Sequence, residues 1–291
     1  MAYAIAAGII FGLYFALVAI GMNLAFGVMR IVNLAHGDFL VLGAFTAFWL
    51  FRTAAHEPVL VIAASFALFF AIGIPLYYLL VPRLARAREP EMLSIILFFG
   101  LSQVVEALIA ILFGTTERSI PSRVLGAGRP VPLLGHAIPF SWLYAAGTAV
   151  VMLAGVYVYL YHSRLGRQTR AIMAEREEAL AIGIDVHRIS AIAFGISTGL
   201  AAVAGVFAPF MFGSFSAAMG IPLDLVAFAV IVVGSLGNPL GTILGGVIYG
   251  VGLMLMRTYV SSFADLLPNL LLIGILLVKP SGLLGRRLRH A

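Results

Sequence analysis

The chain reads as a series of apolar runs separated by short polar stretches. Runs near 4–29, 59–81, 92–113, 141–161, 191–212 and 240–257 are each long enough to cross a bilayer, which takes about 20 residues. Shorter apolar segments lie near 39–51, 223–235 and 266–279, the first two being only thirteen residues long. The pattern predicts an all-α polytopic bundle of about eight or nine spans, some short or broken, forming one transmembrane domain over 1–291. The first charge is Arg30, and the run before it lacks the basic start of a cleavable signal peptide. It is expected to remain as a membrane helix.

The polar stretches orient the bundle. If every segment crosses, Arg30, Arg83, Arg86, Arg88, Arg164, Arg167, Arg170, Arg176, Arg188, Lys279, Arg286, Arg287 and Arg289 share one side. Arg52, Arg118, Arg123, Arg129 and Arg257 take the other, and the imbalance places the C-terminus in the cytoplasm and the N-terminus outside. Making the two short segments non-crossing would put Arg286, Arg287 and Arg289 opposite the arginines of 164–188, so both are kept as crossings. Interrupted segments in matching positions of two halves point to a transport pathway built from repeats. Two breaks, Asn33–Asp38 and Gly234–Gly241, are candidate counterparts, although the halves show no residue-by-residue repeat and ordinary kinked helices would read the same way. Gly8 and Gly12, Gly195 and Gly199, Gly241 and Gly245, and Gly246 and Gly250 stand four apart, a spacing that lets helices pack closely in lipid.

Composition then narrows the function. The chain is 62% hydrophobic and only 10% charged, against about 25% charged in a soluble domain. Lys279 is the sole lysine and Pro280 follows it, so the chain has no phosphate-binding loop of its own. Its net charge of +6 is scattered over short loops, which argues against nucleic acid as a partner. With no cysteine, disulfides, thiolate zinc sites and cysteine catalysis are excluded.

Two loops stand out. The stretch His162–Ser190 concentrates charge, with Arg164, Arg167 and Arg170 followed by Glu175, Arg176, Glu177, Glu178 and Asp185. It predicts a short surface helix over 175–182, stopped at Gly183, which is either a dock for a soluble partner or a solvated loop. On the other side, 114–140 is rich in proline and glycine and reads as a stiff, irregular loop able to receive an extracytoplasmic partner. Inside the membrane, Glu106 with Gln103 one turn earlier is a functional candidate, and Asn23 lies in the first span. His36 and Asp38 are too few ligands for zinc, and Asp38 is expected to cap the broken helix.

Five stretches together resemble a known family. They are Ile31-Val32-Asn33-Leu34-Ala35-His36-Gly37-Asp38, Ser163-Arg164-Leu165-Gly166-Arg167 leading to Ile182-Gly183-Ile184-Asp185, Ala201-Ala202-Val203-Ala204-Gly205, the glycine-rich 234–246, and Pro280-Ser281-Gly282-Leu283-Leu284-Gly285-Arg286. In order and spacing they resemble the permease subunit of branched-chain amino acid ABC importers, of the LivH type. The resemblance implies a non-enzymatic subunit in a prokaryotic plasma membrane, paired with a LivM-like permease, two cytoplasmic ATPases and an extracytoplasmic substrate-binding protein. It implies no cofactor on this chain, ATP being bound by the partner subunits. It also implies that 163–190 couples to the ATPases, with Arg167, Glu175, Glu178, Gly183 and Asp185 as contact or turn residues. Asn23, Asn33, His36, Glu106 and Asp224 are candidates for the substrate pathway. Asp224 stands where a basic residue is expected from the resemblance, which leaves urea, short amides or other small amino acid-like solutes as alternative cargo. A self-sufficient secondary transporter would need more intramembrane carboxylates than Glu106 and Asp224. An intramembrane enzyme would need His36, Asp38 and Glu106 to converge, and the sequence places them toward different depths.

Overall fold

The computed structural model describes residues 1–53, 57–84, 88–121, 124–125 and 130–285. Helices α1 (Ala2–Met29), α2 (His36–Thr53), α3 (Pro58–Leu84) and α4 (Pro90–Phe113) are followed by strands β1 (Pro130–Leu133) and β2 (His136–Pro139). Then come α5 (Phe140–His162), α6 (Arg164–Ala174), α7 (Arg176–Ala181), α8 (Val186–Phe212), α9 (Gly220–Gly234), α10 (Pro239–Tyr259) and α11 (Leu267–Val278). All nine expected spans are present as helices. Among the described residues, eight helical stretches are long and apolar enough to cross a membrane. The remaining span, α2, owes its lower hydropathy to the polar residues of its first turn and to Arg52.

Helices α1 and α8 form the centre and are apolar all round, as fully buried helices are. The Tyr14 hydroxyl on α1 donates to the Ala204 carbonyl on α8 at 3.3 Å, and the Thr198 hydroxyl on α8 donates to the Phe69 carbonyl on α3 at 2.9 Å. Each glycine pair noted in the sequence lies at a close helix approach. A β-carbon on Gly12 would sit 2.6 Å from Val247 Cα, and one on Gly8 would sit 2.6 Å from Val251 Cα, so α1 and α10 meet backbone to backbone. Gly195 and Gly199 press on Phe70 and Phe66 of α3, and Gly241 and Gly245 press on α9.

Three features differ from the sequence expectation. The 114–140 loop contains a hairpin, with Val131 opposite Ile138 and Leu133 opposite His136. Leu134 and Gly135 both take positive φ, the geometry of a two-residue hairpin turn, and the prolines stand in a two-stranded ribbon that has only edges. The charged segment is two helices rather than one, because Ser163 caps α6: its Oγ accepts from the Gly166 amide at 2.8 Å.

The third difference concerns the breaks. After α1 ends at Arg30, the chain turns back along it, and His36 Nε2 bonds the Val18 carbonyl at 2.8 Å. Val18 precedes Met29 by eleven residues, a rise of about 16 Å, so α2 starts deep inside the bundle. Gly37 there abuts Gly220, the first residue of α9. The counterpart of the Asn33–Asp38 break is therefore the segment 213–219 before α9, and Gly234–Gly241 is instead a tight turn in which α9 and α10 touch through their glycines. From a common depth α2 runs to the end of the bundle that holds Arg118 and Phe215, and α9 runs to the opposite end.

Candidate functional site

The point where α2 and α9 meet is built from two half-helix N-termini. The first turn of a helix leaves amides without partners, and in hydrocarbon they must find acceptors. Asn33 Oδ1 accepts from the Ala35 amide at 3.0 Å, and Asp224 Oδ1, reaching across from α9, accepts from the Gly37 amide at 2.6 Å. Capping of α2 thus falls to Asn33 and Asp224, not to Asp38. Asp38 instead lies with its carboxylate against Gly220, where any β-carbon would collide with it. Helix α4 adds the Ser102 hydroxyl beside Asp38 and the Glu106 carboxylate close enough to act on it electrostatically, while Asp38 acts in turn on Asp224. Asp38 and Asp224 are 1% and 4% exposed, and both oxygens of Asp38 and Oδ2 of Asp224 have no hydrogen bond of good geometry. The cluster is acidic and rich in unfilled acceptors. His36 and Asp38 form no metal site, since among the described residues no group of three potential ligands is gathered.

A second constellation lies at the far end of α9. Asn23 on α1 accepts from the Gly237 amide at 2.5 Å, and its amide group donates to the Asn238 carbonyl at 3.0 Å and to the Thr242 hydroxyl. Asn238 caps α10, and the C-terminal turn docks on the same spot through Leu283 N to Val233 O and Leu284 N to Gly234 O, at 2.9 and 3.2 Å. Arg30 donates to the Met173 carbonyl of α6 at 3.1 Å, and Met173 fills the space beside Gly27. A cleft of about 530 Å³ between α6 and the α9–α10 turn is lined by Arg30, Arg170, Met173, Ser235, Gly237 and Leu284 among others.

The α6–α7 segment is fastened at both ends and open in the middle. Tyr159 and Thr169 share a hydrogen bond of 2.8 Å, Arg170 Nε donates to the Leu160 carbonyl at 3.0 Å, and Asp185 Oδ1 caps α8 at the Arg188 amide at 3.0 Å. Gly183 has φ +83°, and the bonds Gly183 N to Leu180 O and Ile184 N to Ala179 O close α7 in a Schellman turn. Between these anchors Arg167, Glu175, Glu177, Glu178, Leu180 and Ile182 are exposed.

The opposite end carries a cleft of about 500 Å³ bounded by Phe48, Arg52, Arg118 and Pro121. Its rim is held by paired backbone bonds between Arg118 and Phe215 at 2.8 Å and by the Ser214 hydroxyl donating to Glu117 at 2.8 Å.

The family model described as the permease component of the branched-chain amino acid transport system matches residues 4–278. The chain belongs to that family. A high-affinity branched-chain amino acid permease protein LivH of Escherichia coli is 28% identical over 96% of this chain and 94% of its own length. The corresponding BraD protein of Pseudomonas aeruginosa is 26% identical over the same shares. The ribose import permease RbsC of Escherichia coli is 28% identical over 81% of this chain and 72% of its own length. No solved structure matches.

This permease is a multi-pass membrane protein, and its candidate residues fall into separate places. Glu106 and Asp224 come to one cluster, with His36 and Asn33 holding α2 beside it. Asn23 lies away from them, its amide taken up by the α9–α10 turn. Glu106, placed by the sequence at a different depth from Asp38, lies close enough to act on it. The sequence reading gave Asp38 only a capping role and gave Ser102 and Gly220 none. The one signal for them is that both short segments open with a glycine and carry an aspartate within the next four residues. Arg86, Arg123, Arg129, Arg286, Arg287 and Arg289, used to orient the bundle, lie outside the described residues.

Proposed function

We propose that this permease forms half of the path of an ABC importer for branched-chain amino acids, with a second permease chain, two cytoplasmic ATPases and an extracytoplasmic binding protein supplying the rest. The end that holds Arg30, α6 and α7 faces the cytoplasm, and the end that holds the N-terminus and the β1–β2 hairpin faces outside. ATP is hydrolysed by the partner subunits.

One observation carries the mechanism: a continuous chain of contacts from the exposed α6–α7 surface to the α2–α9 junction. Met173 and Arg30 join α6 to the end of α1, Asn23 joins α1 to the α9–α10 turn, and α9 carries Asp224, bonded to Gly37, near its start. When closing ATPases displace Glu178, Leu180 and Ile182, the α9–α10 turn moves with α6, and α9 draws Asp224 away from α2. That movement opens the path at its middle. Packed helix interfaces in general switch between discrete arrangements rather than deform continuously.

The test is uptake and ATP hydrolysis measured together in vesicles holding the complete importer. Ile182→Asp and Glu178→Arg should leave assembly intact, lower uptake at least about tenfold and leave basal hydrolysis standing, so that more ATP is spent per solute. Unchanged stoichiometry in both variants would remove α7 from the coupling path. Binding of leucine or valine, but not ribose, by the partner binding protein would fix the solute class against the reading offered by the ribose permease relative.

A further inference from the structure

We propose that the outward face of α4 lines the solute path and that Glu106, backed by Asp38 and Asp224, receives the positively charged ammonium group of the solute. This rests on the reading of the chain as half of an amino acid importer.

Among the described residues, helix α4 packs on α2, α3, α9 and the short turn before α9, with Phe98 reaching Phe194 of α8, and most of its surface is open. Positions 96, 100, 103 and 107 recur at helical spacing along that open face. Gln103 sits in the middle of it, near the middle of the helix, with an exposed amide. An amide in contact with hydrocarbon would leave two donors and an acceptor unfilled at the depth where this costs most, so the face is not turned to lipid. A β-carbon on Gly100 would meet nothing within 4 Å, which leaves room beside Gln103 for a small solute.

Glu106 stands at the edge of the same face, half-buried, on the helix that packs on α2 and α9 and near enough to Asp38 to act on it electrostatically. Behind it are three buried carboxylate oxygens without a donor of good geometry, two on Asp38 and one on Asp224. The only lysine of the chain, Lys279, donates to the Leu283 carbonyl at the far end of α9. An ammonium group brings three donors on a compact positive head, the complement of this acceptor set. Intramembrane carboxylates mark solute or ion paths, and the partial exposure of Glu106 makes it the first that a solute meets.

The absence of cysteine makes the chain a ready background for thiol mapping. Gln103→Cys and, as a control on an exposed apolar face, Ile273→Cys are assembled with cysteine-free partner subunits in vesicles. They are treated with trimethylammonium and sulfonate methanethiosulfonates, and each rate is divided by that of a small thiol in solution. Gln103→Cys should react with both water-borne reagents, the cationic one about tenfold faster after this correction. Adding Glu106→Gln should cut that preference at least about threefold, and loaded binding protein should slow the reaction. Ile273→Cys should stay unmodified. An unreactive Gln103→Cys, as expected for a face sealed by lipid or by the second permease, would overturn the proposal. So would equal corrected rates, or a preference untouched by Glu106→Gln. Uptake of leucine by the unsubstituted importer is measured in parallel. Its failure would refute the solute assignment, while the labelling would still report whether the path is aqueous and acidic.

Discussion

Asn23→Ala probes the joint between α1 and α9 most directly. Of the three groups bonded to Asn23, two keep a partner when it is lost. The Asn238 carbonyl still accepts from the Thr242 amide and hydroxyl, at 3.1 and 3.2 Å, and the Thr242 hydroxyl still donates. The Gly237 amide has only Asn23 Oδ1, so its loss leaves a donor unpaired at about 1–3 kcal/mol. The space left at a position 1% exposed adds about 1 kcal/mol, giving about 2–4 kcal/mol in all. Asn23→Asp keeps the acceptor for Gly237 but sets a second carboxylate oxygen against the Asn238 carbonyl, so it should cost as much as alanine. Thr242→Val alone should cost about 1 kcal/mol, and less than that in the Asn23→Ala background, because the two side chains share a bond. The measurement is unfolding of the purified chain in mixed micelles titrated with sodium dodecyl sulfate, followed by circular dichroism. A loss below about 0.5 kcal/mol for Asn23→Ala, or full additivity with Thr242→Val, would refute the assignment of this joint.

The same titration checks three further expectations. Gly12→Ala and Gly246→Ala should each destabilise by about 1–3 kcal/mol although alanine is the better helix former, since the new β-carbon meets the facing helix backbone, while Gly147→Ala, with nothing within 4 Å, should be neutral or stabilising. Asp224→Asn keeps an oxygen for the Gly37 amide and should fold about as well as the parent, whereas Asp224→Leu leaves that amide bare and should lose about 1–3 kcal/mol. Gly183→Ala should lose about 1–2 kcal/mol from the left-handed turn that ends α7, and Gly183→Asn clearly less; equal losses would show that the turn does not set the cost.

Hydropathy located every span within a few residues because membrane crossing is a property of local composition. The two broken helices were visible as segments too short to cross alone. Which residues of those segments met was not visible, because the contact between Gly37 and Gly220 joins positions far apart in sequence. Chain direction misled in a definable way. The Asn33–Asp38 break precedes its short helix, so its structural equivalent must precede the other short helix as well. The more glycine-rich stretch, Gly234–Gly241, follows α9, and its glycines serve helix contact instead. Glycine count marked close packing, and it was the order of break and helix that marked the repeat.

That order also explains the placement of charge. Two half-helices that start at one depth bring their positive ends together, and such an arrangement is stable only if acceptors stand between them. Asp224 answers this need for α2, and Asp38 stands in the corresponding place against α9. One aspartate from each half therefore crosses to the other, so that parting the half-helices unbonds an amide and uncovers carboxylates in a single movement. In an importer, that movement would create the acidic stretch of the path only while the path is open. The depth of the site and the timing of its exposure then follow from the same two breaks in the chain.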